Sequence, residues 1–144
     1  MSNRKIPEDM DIMNRIKQRE QAFFLIFQNH FNAQKDEDAI ALYNENVELI
    51  GDYAEMLYDG VVEKNQELED LISEFSTGWK INRIAKVNLS ILKLALYEII
   101  YVDDVPDSVA VNEAVELAKK YSGKEDSAFI NGVLGAYIRS KSSK

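Results

Sequence analysis

A chain of 144 residues can form one domain with a substantial core and is too short for two comfortable ones. It has no cysteine, which removes disulfides, thiolate metal sites and cysteine nucleophiles together, and its two prolines and six glycines among many Ala, Leu, Glu and Lys favour helix over sheet. The net charge of −8 argues by itself against a nucleic-acid binder, yet it is unevenly placed: residues 1–20 hold five basic side chains against four acidic, 35–75 two against thirteen, and 76–144 ten against eight. The repulsion of a phosphate chain would come from the middle, and the two ends can form a near-neutral or locally positive face.

The polar start through Asp11, with Arg4 and Lys5, reads as a loose tail. No run here or later has the apolar length of a signal peptide or a membrane span, so a soluble cytoplasmic protein is expected. A helix is predicted from Ile12 to about Phe31, with Met13, Ile16, Phe23, Phe27 and Phe31 on one side. Arg15 and Arg19, four apart, project together from one flank and Lys17 from the other. As a bare pattern these are ordinary solvated charges, and Arg19 pairing with a nearby acid is the plain alternative.

Residues 36 to 45 suggest a short helix carrying Ile40 and Tyr43. Val47, Ile50, Ala54, Leu57 and Val61 then alternate by three and four, as packing seams between helices do. The acids around that seam read as a solubilising face or as a docking surface for a basic protein. Leu68, Leu71, Ile72 and Phe75 make a further helix closed by Ser-Thr-Gly, and Trp79, after the glycine, is expected to cap a core edge. From about Asn88 the run NLSILKLALYEIIYV is apolar on most of its circumference, with Ser90, Lys93, Tyr97 and Tyr101 as a narrow polar stripe, which predicts a central buried helix ended by Asp103, Asp104 and Pro106. Val111, Ala114, Val115, Ala118 and Tyr121 form one more apolar face, Gly123 stops it, and Phe129, Ile130, Val133, Leu134, Tyr137 and Ile138 form the last. The expectation is an all-α domain of about seven helices.

Catalytic chemistry is sparse. The single histidine, His30, sits at the end of the first helix and reads as a helix-end cation or a partly buried polar residue. No HExxH, phosphate-gripping glycine loop or carboxylate–histidine group with metal spacing occurs, so no enzyme, metal or cofactor is expected, and no small-molecule substrate.

The letters V-P-x-x-V-A-V-N-E-A-V-E-L-A-K-K-Y at 105–121, F-I-N-G-V-L at 129–134 and I-L-K-L-A-L-Y-E-I at 91–99 resemble the signature of the NusB family of bacterial antitermination factors, and R-x-K-x-R-E-x-A-F-x-x-I-F at 15–27 resembles that family's opening helix. The resemblance implies two three-helix bundles set across each other, 12–77 and 79–140, after a tail at 1–11. It implies an RNA-binding factor that grips boxA, a single-stranded element of ribosomal RNA leader transcripts, together with NusE, a basic small-subunit ribosomal protein, and so helps a transcribing RNA polymerase pass terminators. Carried over position by position, it assigns RNA contact to Arg15, Lys17, Arg19, Phe27, Asn88 and Phe129: cations for phosphates, flat rings for unpaired bases. The chain departs from the family's pattern in two respects. Ile16 and Gln18 interrupt what is often a denser arginine run, and Asn88 and Phe27 stand where an acid and a tyrosine are commoner. Fewer phosphate contacts predict weak binding of RNA alone.

Two other functional classes compete. One is a helical protein-binding adaptor with no RNA binding of its own, using the acidic middle. The other is the NusB-like accessory domain found in front of some ribosomal RNA methyltransferases, for which a cofactor-binding sheet after Lys144 would be needed.

Overall fold

The computed structural model describes residues 8–30 and 48–142, with side chains from Asn14 onward in the first stretch. Among them the secondary structure is helical throughout: α1 Glu8–Asn29, α2 Asp52–Glu63, α3 Asn65–Phe75, a 3-10 turn Ile81–Arg83, α4 Lys86–Tyr101, α5 Asp107–Tyr121 and α6 Lys124–Ser142. The all-α expectation holds, with six helices in the described residues. The predicted helix at 36–45, with Ile40 and Tyr43, lies outside them, as do Val47 and most of the 1–11 tail. The first helix begins at Glu8, four residues before the predicted Ile12.

Helix α4 is the axle. It packs against each of the other five helices, while α5 lies on α6 and α1 on α2. Leu89, Ile91, Leu92, Leu94 and Leu96 are almost wholly inaccessible, each adding about 2 kcal/mol of transfer free energy. One continuous buried cluster takes side chains from all six helices. Near-continuous apolar sequence and central position are the same fact: a helix with neighbours on every side has no face to give to water.

The apolar stripe read for α1 needs correcting. Ile16 is 46% exposed and Phe27 is only half-buried, whereas Gln18, Arg19, Gln21, Ala22, Leu25 and Ile26 are buried. The helix is flanked by α2 and α4, so its buried arc is wide and takes in polar residues that a single-stripe reading places outside. Two of these organise the start of α2. Gln18 Oε1 accepts from the Ala54 amide at 3.1 Å, and Gln21 Oε1 accepts from the Gly51 amide at 3.0 Å while its Nε2 donates to the Leu49 carbonyl at 3.0 Å. These bonds satisfy amides that a helix N-terminus leaves open. A Cβ on Gly51 would lie 2.1 Å from Gln18 Oε1, so glycine is what lets the loop approach.

The seam of α2 is as predicted, with Ala54, Leu57 and Val61 buried, and Leu68 and Ile72 do the same for α3. Gly78 takes φ +79°, the left-handed region open to glycine at little cost, and turns the chain from α3 toward the 3-10 turn. Trp79 is not the core-edge cap expected of it: the indole is 54% exposed and meets the edge of Phe129, at 6.1 Å between ring centroids. Its place is in the turn after α3, outside the helix packing.

Candidate nucleic-acid interface

The α1 cations fall into different environments because a helix turns 100° per residue. Arg15 lies partly exposed, its guanidinium 3.0 Å from Asp104 and 4.4 Å above the Tyr53 ring. The hydrogen bond from Arg15 holds the Asp104 carboxyl below its usual range. Lys17 is largely exposed and pairs with Glu48 at 2.7 Å.

Arg19 is buried. Its Nε lies 3.0 and 2.8 Å from the two carboxylate oxygens of Glu98, and both side chains are almost inaccessible. Tyr53 donates its hydroxyl proton to the same carboxylate, and burial, followed by the Glu98 charge, raises the phenol above its ordinary pKa. The plain alternative for Arg19, pairing with an acid, is therefore what the fold does with it, and its guanidinium offers no surface to a phosphate. Glu98 stands one position off the polar stripe that runs through Ser90, Lys93, Tyr97 and Tyr101, so the spacing along α4 does not mark it.

The aromatic residues sit toward the other end of α1. Phe27 is half-buried, 6.3 Å from Phe23, which together with Phe24 packs on Tyr121 at 5.3 Å. From Tyr121 the surface continues to Ser122, whose hydroxyl donates to Asn88 Oδ1 at 3.1 Å. Asn88, Phe129, Trp79, Arg83 and Asp126 then line a cleft of about 330 Å³. Asn88 is 4% exposed and fixed through Ser122, and Phe129 is half-buried.

The structure thus brings Asn88 and Phe129 together and links them through Tyr121 to the aromatic end of α1. Arg15 and Lys17 lie further up that helix. Twelve residues separate Arg15 from Phe27, about 18 Å of helix rise. Lys120 bridges part of this interval through its contact with Glu20 at 2.9 Å. Sequence reading missed Arg83, Trp79 as an exposed ring, Lys120 and Tyr121. Two adjacent lysines in the last turn of α5 and a basic residue at the end of the 3-10 turn were the available signals.

The sequence model of the NusB family matches residues 16–139. The chain belongs to the NusB family. It is 44% identical to the transcription antitermination protein NusB of Acetivibrio thermocellus, over 90% of this chain and 91% of the relative. It is 42% identical to that of Clostridium acetobutylicum, over 92% of this chain and the whole of the relative. Among solved structures it resembles NusB of T. maritima, with a TM-score of 0.70 and 32% identity over 84% of this chain and 87% of that one. It also shares the fold of a chain in a crystal structure of NusB and NusE with double-stranded RNA, with a TM-score of 0.79 and 23% identity over 88% and 96%.

As a member of this family the chain is a transcription antitermination factor and not an enzyme. Between the cations of α1, Gln18 is turned inward as the cap for α2 and Ile16 faces a groove lined also by Glu113 and Leu117 of α5. None of the described helices is long and apolar enough to cross a membrane.

Proposed function

We propose that the protein is a cytoplasmic antitermination factor that binds boxA-type single-stranded RNA jointly with NusE and acts on a transcribing RNA polymerase. Family membership carries the reading, and the continuous surface from the aromatic end of α1 to the Asn88–Phe129 cleft supports it. The roles divide by exposure. Arg15 and Lys17 meet phosphates, Phe27 and Phe129 stack on bases, and Arg19 and Asn88 act from beneath, Arg19 by anchoring α1 to α4 and Asn88 by holding the Ser122 turn.

Both surface cations already hold a carboxylate, so a phosphate meets charges that Asp104 and Glu48 have partly neutralised. This favours a joint binder: the basic NusE adds the attraction that this acidic chain lacks. The same pairing is what an adaptor without RNA binding would show, and one titration separates the two. Labelled boxA RNA is titrated with the protein plus NusE, then with R15A/K17A and with F129A. Each variant is expected to bind at least about tenfold more weakly, a loss of about 1.4 kcal/mol. Equal binding by wild type and both variants removes these residues from the RNA face, and binding no tighter than that of NusE alone leaves the adaptor.

A further inference from the structure

At the junction of α1, α2, α3 and α4, away from the surface described above, a pocket of about 280 Å³ carries an unusual set of polar groups. Lys93 of α4 is 2% exposed, and its ammonium donates to Asn65 Oδ1 at 2.6 Å and to Glu69 Oε2 at 2.8 Å. An ammonium has three protons, so one donor remains. Lys86, one helical stretch earlier on α4, lines the same pocket and has no acidic partner among the described residues. His30 at the end of α1 turns Nε2 inward, buried and without a hydrogen-bond partner among the described residues.

Two ammonium groups thus face one carboxylate, Glu69, beside an imidazole held neutral. A buried polar atom left unpaired costs free energy, which is the position of His30 Nε2. Asn29 and Asn65 complete the polar lining, and α2 contributes only the apolar Val61 and Val62. One anion would balance the second ammonium and give His30 Nε2 an acceptor.

We propose that this pocket is a binding site for a tetrahedral oxyanion, a phosphate group held by Lys86, Lys93 and His30. The surroundings of His30 give the site a pH dependence. Burial, then the charges of Lys93 and Lys86, push its pKa down to about 4, and Glu69 alone works in the other direction. An anion reverses the balance by favouring the imidazolium, so anion binding and His30 protonation are linked. The affinity therefore rises as pH falls through the His30 midpoint of the loaded protein and levels off near 4, where the empty pocket also carries the proton.

His30 is the only histidine of the chain, so its ring proton signal reports on this pocket alone. Sulfate, whose charge is constant over this range, is the probe, with chloride at equal ionic strength as the reference. In sulfate the His30 midpoint is expected to move up by about one pH unit, equivalent to an affinity about tenfold tighter for the protonated pocket. The exposed Lys86 can be changed to Met without touching the core, and K86M is expected to abolish the shift. Inorganic phosphate and uridine monophosphate are the two further arms. A response to phosphate but not to the nucleotide means that the pocket takes the free ion, and a response to both means that it also admits a phosphate monoester. The same midpoint in sulfate and chloride, or a shift that survives in K86M, overturns the site.

Discussion

Arg19 shows how little a residue's type says about its role. The same letter four positions after Arg15 leads to a guanidinium locked against Glu98 and Tyr53, while Arg15 keeps part of its surface. Removing one partner of a buried pair leaves the other charge uncompensated. R19M is therefore expected to lower the unfolding free energy by about 3–5 kcal/mol, read by urea denaturation. R15A is expected to change it by under about 1 kcal/mol, as for a partly exposed pair. If R19M unfolds at the same urea concentration as wild type while losing RNA, the structural role assigned to Arg19 is wrong.

At the scale of elements, close helix contact decides what the sequence must contain. Gly60 on α2 lies so near α4 that a Cβ would sit 2.1 Å from the Tyr97 ring. The ring cannot retreat freely, because it is 5.1 Å from that of Tyr101. Alanine is the better helix former at an open position, so the sign of this substitution tests the packing. G60A is expected to destabilise by about 1–3 kcal/mol through overpacking. A thermal melt in which G60A matches or exceeds wild type would mean that α2 and α4 have room between them. The helix positions themselves were plain from the 3.6-residue spacing, α4 most of all. What the spacing could not give was the arc that α1 buries. Gln18, Gln21 and Arg19 are polar letters that enter the interior because α2 and α4 supply partners there, and no periodicity of apolar residues marks that.

For the molecule as a whole, charge placement matters more than its sum. The net charge is −8, yet three acids are spent on the cations of α1: Glu48 on Lys17, Asp104 on Arg15, Glu98 on Arg19. An RNA strand meeting this surface replaces existing ion pairs and gains few new contacts, so binding by the protein alone is expected to depend only modestly on salt. Single-strand contacts add about 0.7 each to the slope of log affinity against log salt, so R15A/K17A is expected to flatten that slope by about 1.4. A slope unchanged in the double variant would move the phosphate contacts elsewhere, with Lys120 and Arg83 the next cations to test.

Local spacing and the letters along the chain carry the helical class, the central place of α4, the seams of α2, α3 and α6, and the family; on α5 the buried positions are Ala110, Ala114, Leu117 and Ala118, so the face read there through Val111, Val115 and Tyr121 is shifted and those three are only half-buried. Tertiary packing sets which cations face water, the burial of Asn88 beneath Ser122, the exposure of Trp79 against Phe129, and the opening of His30 Nε2 onto a pocket with two lysines. A charged side chain's role depends on the group it meets across the fold, and Arg19 meets Glu98 from 79 positions away. Pairings at that separation are set by how helices stack, which the chain's local pattern does not contain.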